Sequence, residues 1–242
     1  MKTNILILAA GSPVFEAGAE GYPLCLSEYD GMSLLERIVF NTRNIHNAHY
    51  VFALRDKDAE RFHLENVVRL LVGDAEVIRI PEQTRGSACT AILSAAHLNS
   101  VEPVLVVSAN ELVDLDLADI IADFNKNELD GGVLTFRSVH PRYSYVQVDN
   151  AGLVTEVAHQ NPISHFATTG VFWFARSCEF VEAVKETIRK NSSVKGNFFV
   201  ALAYNELILK QKKIGTWPID ISDYKPLKSE RQLQQYEFGK AQ

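Results

Sequence analysis

The first ten residues constrain the fold more than any other part of the chain. Residues 4–10 form an almost continuous apolar run, which Gly11, Ser12 and Pro13 end. Because neither face of this run is polar, it predicts a strand that is buried on both faces. Such strands occur in parallel sheets with helices on both sides, and ligands bind where these strands end.

Strand-like and helix-like segments alternate over the first 125 residues. The spacing predicts strands at 49–54, 75–80 and 103–107, and helices at 33–42, 58–71, 86–98 and 115–125. The helix at 33–42 has the clearest start, since Ser33 can cap it and Glu36 follows three residues later. This alternation predicts an α/β fold with a mainly parallel, Rossmann-like central sheet flanked by helices.

The second half of the chain has a different order of predicted elements, with several short strands in succession. We predict strands at 131–138, 143–148, 153–158, 168–174 and 214–219, and helices at 178–190, 199–210 and 229–238. Residues 149–152 have the composition of a hairpin turn between two of the strands. We therefore expect a single domain over 1–242, whose second half (127–242) is more antiparallel than its first half (1–126).

Composition excludes several classes of protein. The chain has 242 residues, of which 47% are hydrophobic and 10% aromatic, and this content excludes a disordered chain. Three distant cysteines exclude a disulfide scaffold. We find no signal peptide and no apolar run of the ~20 residues that a membrane span needs, so we predict a cytoplasmic protein. The formal charge of −6 argues against nucleic acid as a partner.

Two loops have the small residues that ligand-binding turns need. Ala10, Gly11 and Ser12 follow the first predicted strand, where exposed backbone N–H groups suit a phosphate or the edge of a base. Residues 83–88 precede a predicted helix whose first turn would offer N–H groups to a ligand, and the Gln83 amide can donate and accept there. A plain turn and an ordinary helix cap are the alternatives.

A third loop, residues 108–111, follows the strand predicted at 103–107. Acidic side chains at such a strand end commonly hold a divalent cation, but Asn110 offers a neutral oxygen, with Glu111 beside it. Asp114 and Asp116 form an Asp-x-Asp pair that could bind a metal. We favour a role for them as the cap and first-turn charge of the next helix.

Histidines and cysteines give only weak indications of chemistry. No histidine lies at metal-ligand spacing from another histidine or a cysteine, and a lone histidine such as His140, His159 or His165 is more often structural. One group mixes charge with aromatic rings and suits a sugar or phosphate contact: Arg137, Arg142, Tyr143 and Tyr145.

Together these segments resemble the sugar-phosphate nucleotidyltransferases found in bacterial surface-polysaccharide loci. Residues 6–12 resemble the opening nucleotide-binding strand and loop of that family, and residues 84–90 resemble its base-reading loop. Residues 21–26 and 30–32 are similar to its Pro-Lys segment and the helix start after it. Later blocks resemble the sugar-side half of one subgroup: 130–132, 140–145, 161–164, 167–170, 196–200 and 204–206.

The resemblance implies transfer of a nucleotidyl group from a nucleoside triphosphate to a sugar-1-phosphate, with release of pyrophosphate. It implies that Mg²⁺ and basic side chains neutralise the phosphates, and that the partners are a nucleoside triphosphate or nucleotide sugar and a sugar phosphate. It places these residues at the nucleotide: Ala10, Gly11, Ser12, Gln83, Thr84, Gly86, Ser87 and Asn110. It places these on the sugar side: Gly132, Glu156, Gly170 and Asn205.

The charged positions depart from the family pattern. Val14, Leu24 and Asn110 stand where the family has Arg, Lys and a metal-binding Asp, and His159-Gln160 and Asn197 replace further charges. Asp220 and Asp223 are candidates for the second metal aspartate. Losing one preorganised charge commonly costs ~3–4 kcal/mol of barrier, so transfer should be nearly lost unless other residues substitute. The candidate substitutes are Arg85, Arg142, His159 and Lys195.

Three functions stay open at this point. The first is a nucleotidyltransferase with altered phosphate chemistry, and the second is a non-catalytic nucleotide- or sugar-binding subunit that regulates or scaffolds an active paralogue. The third is a glycosyltransferase of similar architecture that binds metal through Asp114 and Asp116. Phe172, Trp173 and Phe174 would form either the core or the interface of a homodimer.

Overall fold

A computed structural model describes residues 2–11, 22–81, 84–227 and 230–238. Its strands are β1 (Thr3–Ala9), β2 (Glu28–Tyr29), β3 (Met32–Ser33), β4 (Ala48–Arg55), β5 (Glu76–Ile80), β6 (Val104–Ser108), β7 (Glu111–Val113), β8 (Gly131–Arg137), β9 (Ser144–Val148), β10 (Val154–His159), β11 (Phe166–Phe174), β12 (Ile214–Pro218) and β13 (Tyr224–Pro226). Its α-helices are α1 (Leu34–Thr42), α2 (Asp56–Arg61), α3 (Leu64–Leu71), α4 (Ser87–Leu93), α5 (Leu117–Lys126), α6 (Ser177–Arg189), α7 (Ala203–Leu209) and α8 (Glu230–Phe238). None of the helices in the described ranges is long and apolar enough to span a bilayer.

The central sheet has nine strands. Its order is β10-β9-β11-β6-β1-β4-β5, and β8 and β12 continue from the other side of β11. Strands β6, β1, β4 and β5 are parallel, whereas β11 runs antiparallel to β6, β8 and β9. The predicted α/β fold, with a mainly parallel central sheet and a more antiparallel second half, is confirmed.

The apolar run at the N-terminus fills both faces of this sheet. Ile5, Ile7 and Ala9 belong to one buried cluster, and Leu6 and Leu8 belong to a second cluster on the opposite face. Successive side chains of a strand point to opposite faces, so only a strand covered on both sides needs to be apolar at every position.

Phe172, Trp173 and Phe174 lie in β11, in the interior of the sheet. All three side chains are buried in the chain itself, and Trp173 is 0% exposed. They are therefore core residues, and the alternative of a homodimer interface at these rings is wrong.

Most of the predicted helix bounds lie within two residues of the observed ones. Helix α1 begins with the predicted capping box, in which the Glu36 N–H donates to Ser33 Oγ (3.2 Å) and the Ser33 N–H donates to Glu36 Oε2 (2.7 Å). The single helix predicted at 58–71 is wrong, because His63 adopts a left-handed φ of 52° and separates α2 from α3. The predicted helices at 86–98 and 199–210 each include a separate 3₁₀ turn, at Ala95–His97 and Val200–Leu202.

The strand directions define one edge of the sheet. Strand β8 is antiparallel to β11, and β12 is parallel to β8, so both run in the direction of β6 and β1. The carboxyl ends of β1, β4, β5, β6, β8 and β12 therefore share one edge, which we call the carboxyl edge. The β9–β10 hairpin, with its turn at 149–152, extends past the start of β11 at this edge.

Candidate functional site

The ends of β1 and β6 lie side by side at the carboxyl edge. Leu8 is in register with Ser108, and the Ala109 N–H donates to the Leu8 carbonyl (2.9 Å). Ala10 and Asn110 therefore end neighbouring strands, and a Cβ placed on Gly11 would meet nothing within 4 Å. The structure brings these predicted nucleotide-side positions together, whereas Ser12, Val14 and Gln83 lie outside the described residues.

A β-bulge lies beside the end of β6. Strand β11 pairs with β6 through Val171 and with β9 through Thr168, and its register with β8 shifts between Thr168 and Phe172. Gly170 occupies this bulge, where an added Cβ would stand 2.7 Å from Ser108 Cβ and overlap the Glu111 carboxylate. Gly170 thus lies at the end of β6, and from the bulge we infer a crevice between the end of β6 and the start of β9.

A buried carboxylate lies beneath this crevice. Glu111 is 5% exposed and accepts a short hydrogen bond from the Tyr224 hydroxyl, which joins β7 to β13. Burial first, and then the Glu111 charge, raise the pKa of Tyr224 well above its ordinary value of 10.0. The phenol therefore remains protonated and donates to the carboxylate. Sequence reasoning noticed Glu111 only as a neighbour of Asn110, since nothing local connects it to a tyrosine 113 positions away.

Tyr224→Phe is expected to destabilise the protein by about 1–3 kcal/mol, because it removes a hydrogen bond to a buried charge. The wild type should also lose stability as the pH rises above about 10, where the unfolded tyrosine ionises and the folded one does not. The Tyr224→Phe variant should lose less stability than the wild type over that pH range. Urea unfolding at neutral and alkaline pH measures both effects, with Tyr22→Phe at an exposed tyrosine as the control. Equal stability of Tyr224→Phe and wild type would contradict this account of the pair.

The loop before α4 is docked on a second loop. The Phe198 N–H donates to the Arg85 carbonyl (2.8 Å), and the Ala88 N–H donates to the Phe198 carbonyl (3.1 Å). The N–H groups of Cys89 and Thr90 donate to the Gly86 carbonyl (3.1 and 3.2 Å). These three N–H groups are engaged within the protein, so they are not offered to a ligand.

The polar side chains of this loop are also engaged. Thr84 Oγ1 lies 2.8 Å from Thr90 Oγ1, and Ser87 Oγ accepts from the Val200 N–H at 3.1 Å. Sequence reasoning missed this docking, because the partner segment lies more than 110 residues away and makes its contacts through backbone atoms.

Gly86→Ala is expected to separate the two loops. Gly86 has a φ of 93°, and an added Cβ would stand 2.9 Å from the Phe198 nitrogen and overlap the Phe198 carbonyl oxygen. Backbone strain and the clash together should cost about 2 kcal/mol or more. Hydrogen exchange of the Ala88 and Phe198 amides measures the effect, and Gly73→Ala, at a glycine with open space around it, is the matched control. Unchanged protection of both amides would contradict the docking.

Two residues predicted on the sugar side have structural roles. Gly132 lies at the start of β8, at the opposite edge from Asn110, where the Phe124 ring leaves no room for a Cβ and the Gly132 carbonyl accepts from the Tyr204 hydroxyl (2.7 Å). The Asn205 carboxamide bonds the backbone N–H and carbonyl of Val157 (2.9 and 2.8 Å) and fastens α7 to β10. Glu156 is exposed on β10. Gly132 is therefore remote from the crevice.

The acidic candidates do not gather around Asn110. Asp220 accepts from the Ser222 N–H (2.8 Å) and follows β12, which is three strand positions, or about 14 Å, from β6. Asp223 precedes β13, at the end of the β7–β13 ribbon opposite Asn110. Asp116 caps α5 by accepting from the Ala118 N–H (3.0 Å), so the helix begins at Leu117, two residues after the predicted start, and Asp114 lies before the cap.

The Mg²⁺ that the resemblance implies does not fit these residues as an ion held by the protein. Mg²⁺ prefers carboxylate oxygens, and the side chain at the end of β6 is the neutral amide of Asn110. Over the residues that the structure describes, no three His, Cys, Asp or Glu side chains are arranged to hold a metal ion.

The segment that resembles the family's Pro-Lys motif is part of the core. Leu24 is 9% exposed, and the neighbouring Cys25 is more deeply buried. Burial, with a smaller effect of the Asp58 charge, raises the pKa of Cys25 to about 12. The segment therefore offers the crevice neither a cation nor a reactive thiol.

Three of the four candidate basic substitutes meet at the loop 195–199. Arg85 Nε donates to the Gly196 carbonyl (2.9 Å), next to Lys195, and its guanidinium lies 5.1 Å from the centre of the Phe198 ring. The His159 ring stacks on Phe199 with ring centres 3.6 Å apart. The fourth candidate, Arg142, lies near the start of β9 and donates to His140 (3.2 Å).

Comparisons with solved structures identify the fold. No protein-family model and no curated protein sequence matches this chain. A nucleoside-diphosphate-sugar pyrophosphorylase from Vibrio cholerae RC9 is similar over 96% of this chain and 99% of its own, with a TM-score of 0.81 and 22% identity. A UDP-glucose pyrophosphorylase complexed with UDP-glucose is similar over 99% of this chain and 98% of its own, with a TM-score of 0.76 and 14% identity. A putative glucose-1-phosphate thymidylyltransferase from Bacillus anthracis is similar over 97% of this chain and 94% of its own, with a TM-score of 0.73 and 15% identity. The chain has the sugar nucleotidyltransferase fold.

Proposed function

We propose that this protein binds a nucleotide sugar in the crevice at the carboxyl edge, and that nucleotidyl transfer to a sugar-1-phosphate is reduced there to a residual rate. The observation that carries the proposal is the meeting of Ala10, Asn110 and Gly170 at the carboxyl edge of the sheet. A solved neighbour of the same fold holds UDP-glucose.

The reduced rate follows from the side chains around the opening. Nucleotidyl transfer needs positioned charges on the phosphates, and each lost charge costs about a hundredfold to a thousandfold in rate. Leu24 is apolar and buried, and Asn110 is neutral. Backbone atoms still line the opening at Ala10 and Gly11, so binding can persist where transfer is slow.

Two measurements test the proposal together. Calorimetry with UDP-glucose and dTDP-glucose should show binding, and a coupled assay of pyrophosphate release should show residual turnover with the four nucleoside triphosphates and glucose-1-phosphate. The absence of binding to every nucleotide and nucleotide sugar in the panel would overturn the proposed function.

A nucleotidyltransferase with ordinary turnover is the second candidate. The meeting of Arg85, Lys195 and His159 around one loop favours it, because these side chains could replace the missing charges. Turnover at about 1–10³ s⁻¹, the range typical of enzymes, would favour this candidate over the residual rate. In either case we place the protein among those that supply activated sugars for surface polysaccharides, as a homodimer or beside an active paralogue.

A further inference from the structure

We propose that the loop 195–199 anchors the diphosphate of the bound nucleotide sugar through Arg85, Lys195 and His159, so that binding needs no divalent cation. This inference rests on the proposed function and assigns the neutralising charge to side chains of this chain. It follows from a disagreement: the donor set at the end of β6 does not suit Mg²⁺, whereas basic groups converge on a neighbouring loop.

The first step concerns charge. Several cations of the protein are neutralised by acids, as Arg55 is by Asp58 (2.8 Å) and Lys212 is by Glu179 (2.9 Å). In the described part of the chain, neither Arg85 nor Lys195 has a carboxylate within ion-pair distance, and the hydrogen bond of Arg85 goes to a backbone carbonyl. Within the described residues, Arg85 and Lys195 therefore bring two cations without an acidic partner to one loop of a chain whose net charge is −6.

The second step concerns rigidity. The loop is held to the start of α4 by the two backbone hydrogen bonds between Phe198 and residues 85 and 88. Arg85 uses Nε for its bond to Gly196, so its two terminal amino groups make no hydrogen bond within the described residues. A guanidinium fixed in this way is preorganised for two phosphate oxygens.

The third step concerns position. His159 pairs with Ser144, and its Nδ1 lies 2.7 Å from Ser144 Oγ. Ser144 is in register with Thr168, two residues before Gly170 in the bulge. The stack of His159 on Phe199 therefore joins the loop to the strand that borders the crevice, and a diphosphate in the crevice would lie between the two.

The test measures binding of UDP-glucose and dTDP-glucose by calorimetry, with excess MgCl₂ or with EDTA. The wild type should bind with nearly the same Kd in both conditions. Arg85→Gln and Lys195→Asn should each raise Kd on the order of tenfold, and the double variant on the order of a hundredfold. Asn is chosen because Lys195 has a φ of 52°, which Asn adopts readily.

Controls separate charge from folding and from the identity of the phosphate. Lys195→Arg should keep wild-type affinity, and Lys185→Gln, at an exposed lysine of α6, should have no effect. Uridine, which has no phosphate, should bind wild type and variants equally. The variants should raise the Kd of free pyrophosphate only if pyrophosphate binds at the same anchor. This measurement therefore distinguishes a site for free diphosphate from a site for the diphosphate of a nucleotide sugar.

The outcomes distinguish the two proposals. Wild-type binding with unchanged affinity in both single variants and the double variant would overturn the anchor and leave the proposed function standing. Wild-type binding that vanishes in EDTA would also overturn the anchor. If the wild type binds no ligand, the proposed function fails, and the anchor fails with it. Melting temperatures within about 2 °C of the wild type show that the variants are folded.

Discussion

Asn110→Asp is expected to make nucleotide-sugar binding depend strongly on Mg²⁺. In EDTA, the new carboxylate at the end of β6 should repel the diphosphate and raise Kd on the order of tenfold. With MgCl₂, the carboxylate and the phosphates together supply oxygen ligands, since Mg²⁺ commonly binds one or two carboxylates plus substrate phosphates. The ratio of Kd in EDTA to Kd in MgCl₂ should therefore rise from near one to about a hundredfold.

The side chain at this position is exposed, so the substitution leaves the core intact. The backbone carbonyl of Asn110 keeps its bond to the Leu227 N–H (3.0 Å). Asn47→Asp, at the start of β4 on the opposite edge of the sheet, is the matched control and should show no dependence on Mg²⁺. Asn110→Asp that binds equally well in EDTA and MgCl₂ would show that Asn110 is remote from the diphosphate.

A lysine introduced at residue 24 has a different expected result. Leu24 is buried in the core, so Leu24→Lys would place an ammonium group among apolar side chains, which destabilises the fold. A variant that combines Leu24→Lys with Asn110→Asp would mix loss of folding with any gain in activity. Asn110→Asp alone tests whether the diphosphate binds at the carboxyl edge, because this substitution leaves the core unchanged.

Trp173→Ala is expected to destabilise the protein by about 3–5 kcal/mol, because it empties a large site in the middle of the sheet. Trp173 is fully buried, and its ring centre lies 5.6 Å from that of Phe124 in α5. Strands β6 and β8 pair with β11 on either side of it, so the surroundings cannot easily collapse into the cavity. Urea unfolding monitored by circular dichroism measures the loss.

Trp173→Phe is the matched control. The indole Nε1 is buried and has no hydrogen-bond partner among the described residues, so replacing the indole removes a polar atom that the core does not satisfy. We therefore expect a loss of only about 1 kcal/mol for Trp173→Phe. A cost for Trp173→Ala below about 1 kcal/mol would contradict this account of the packing around the ring.

The sequence located the parts of the site that depend on strand ends. The apolar run of β1 and the strand before Asn110 are legible locally, because burial on both faces requires an apolar residue at every position. Parallel pairing then places their ends at one edge. The sequence alone therefore groups Ala10, Gly11 and Asn110 at that edge.

Other predicted site residues could not be placed in this way. Gly132 belongs to a conspicuous glycine pair in the sequence. Such a pair can make room for a ligand or for a packed ring such as Phe124, and the choice depends on which end of β8 lies at the carboxyl edge. Asn205 likewise serves the backbone of β10, which lies 48 residues earlier. Composition at a single position does not distinguish a binding residue from a packing residue.

The amino-acid sequence by itself determined the strand–helix alternation and the cap of α1, since each of these depends on neighbours within a few residues. Only the tertiary structure decided that Leu24 is buried, that the start of α4 is closed by Phe198, and that Arg85, Lys195 and His159 meet at one loop. The physical reason is sequence separation: periodicity and capping act over one or two turns, whereas these contacts join segments 40 to more than 100 residues apart through backbone atoms and ring faces that no local pattern encodes.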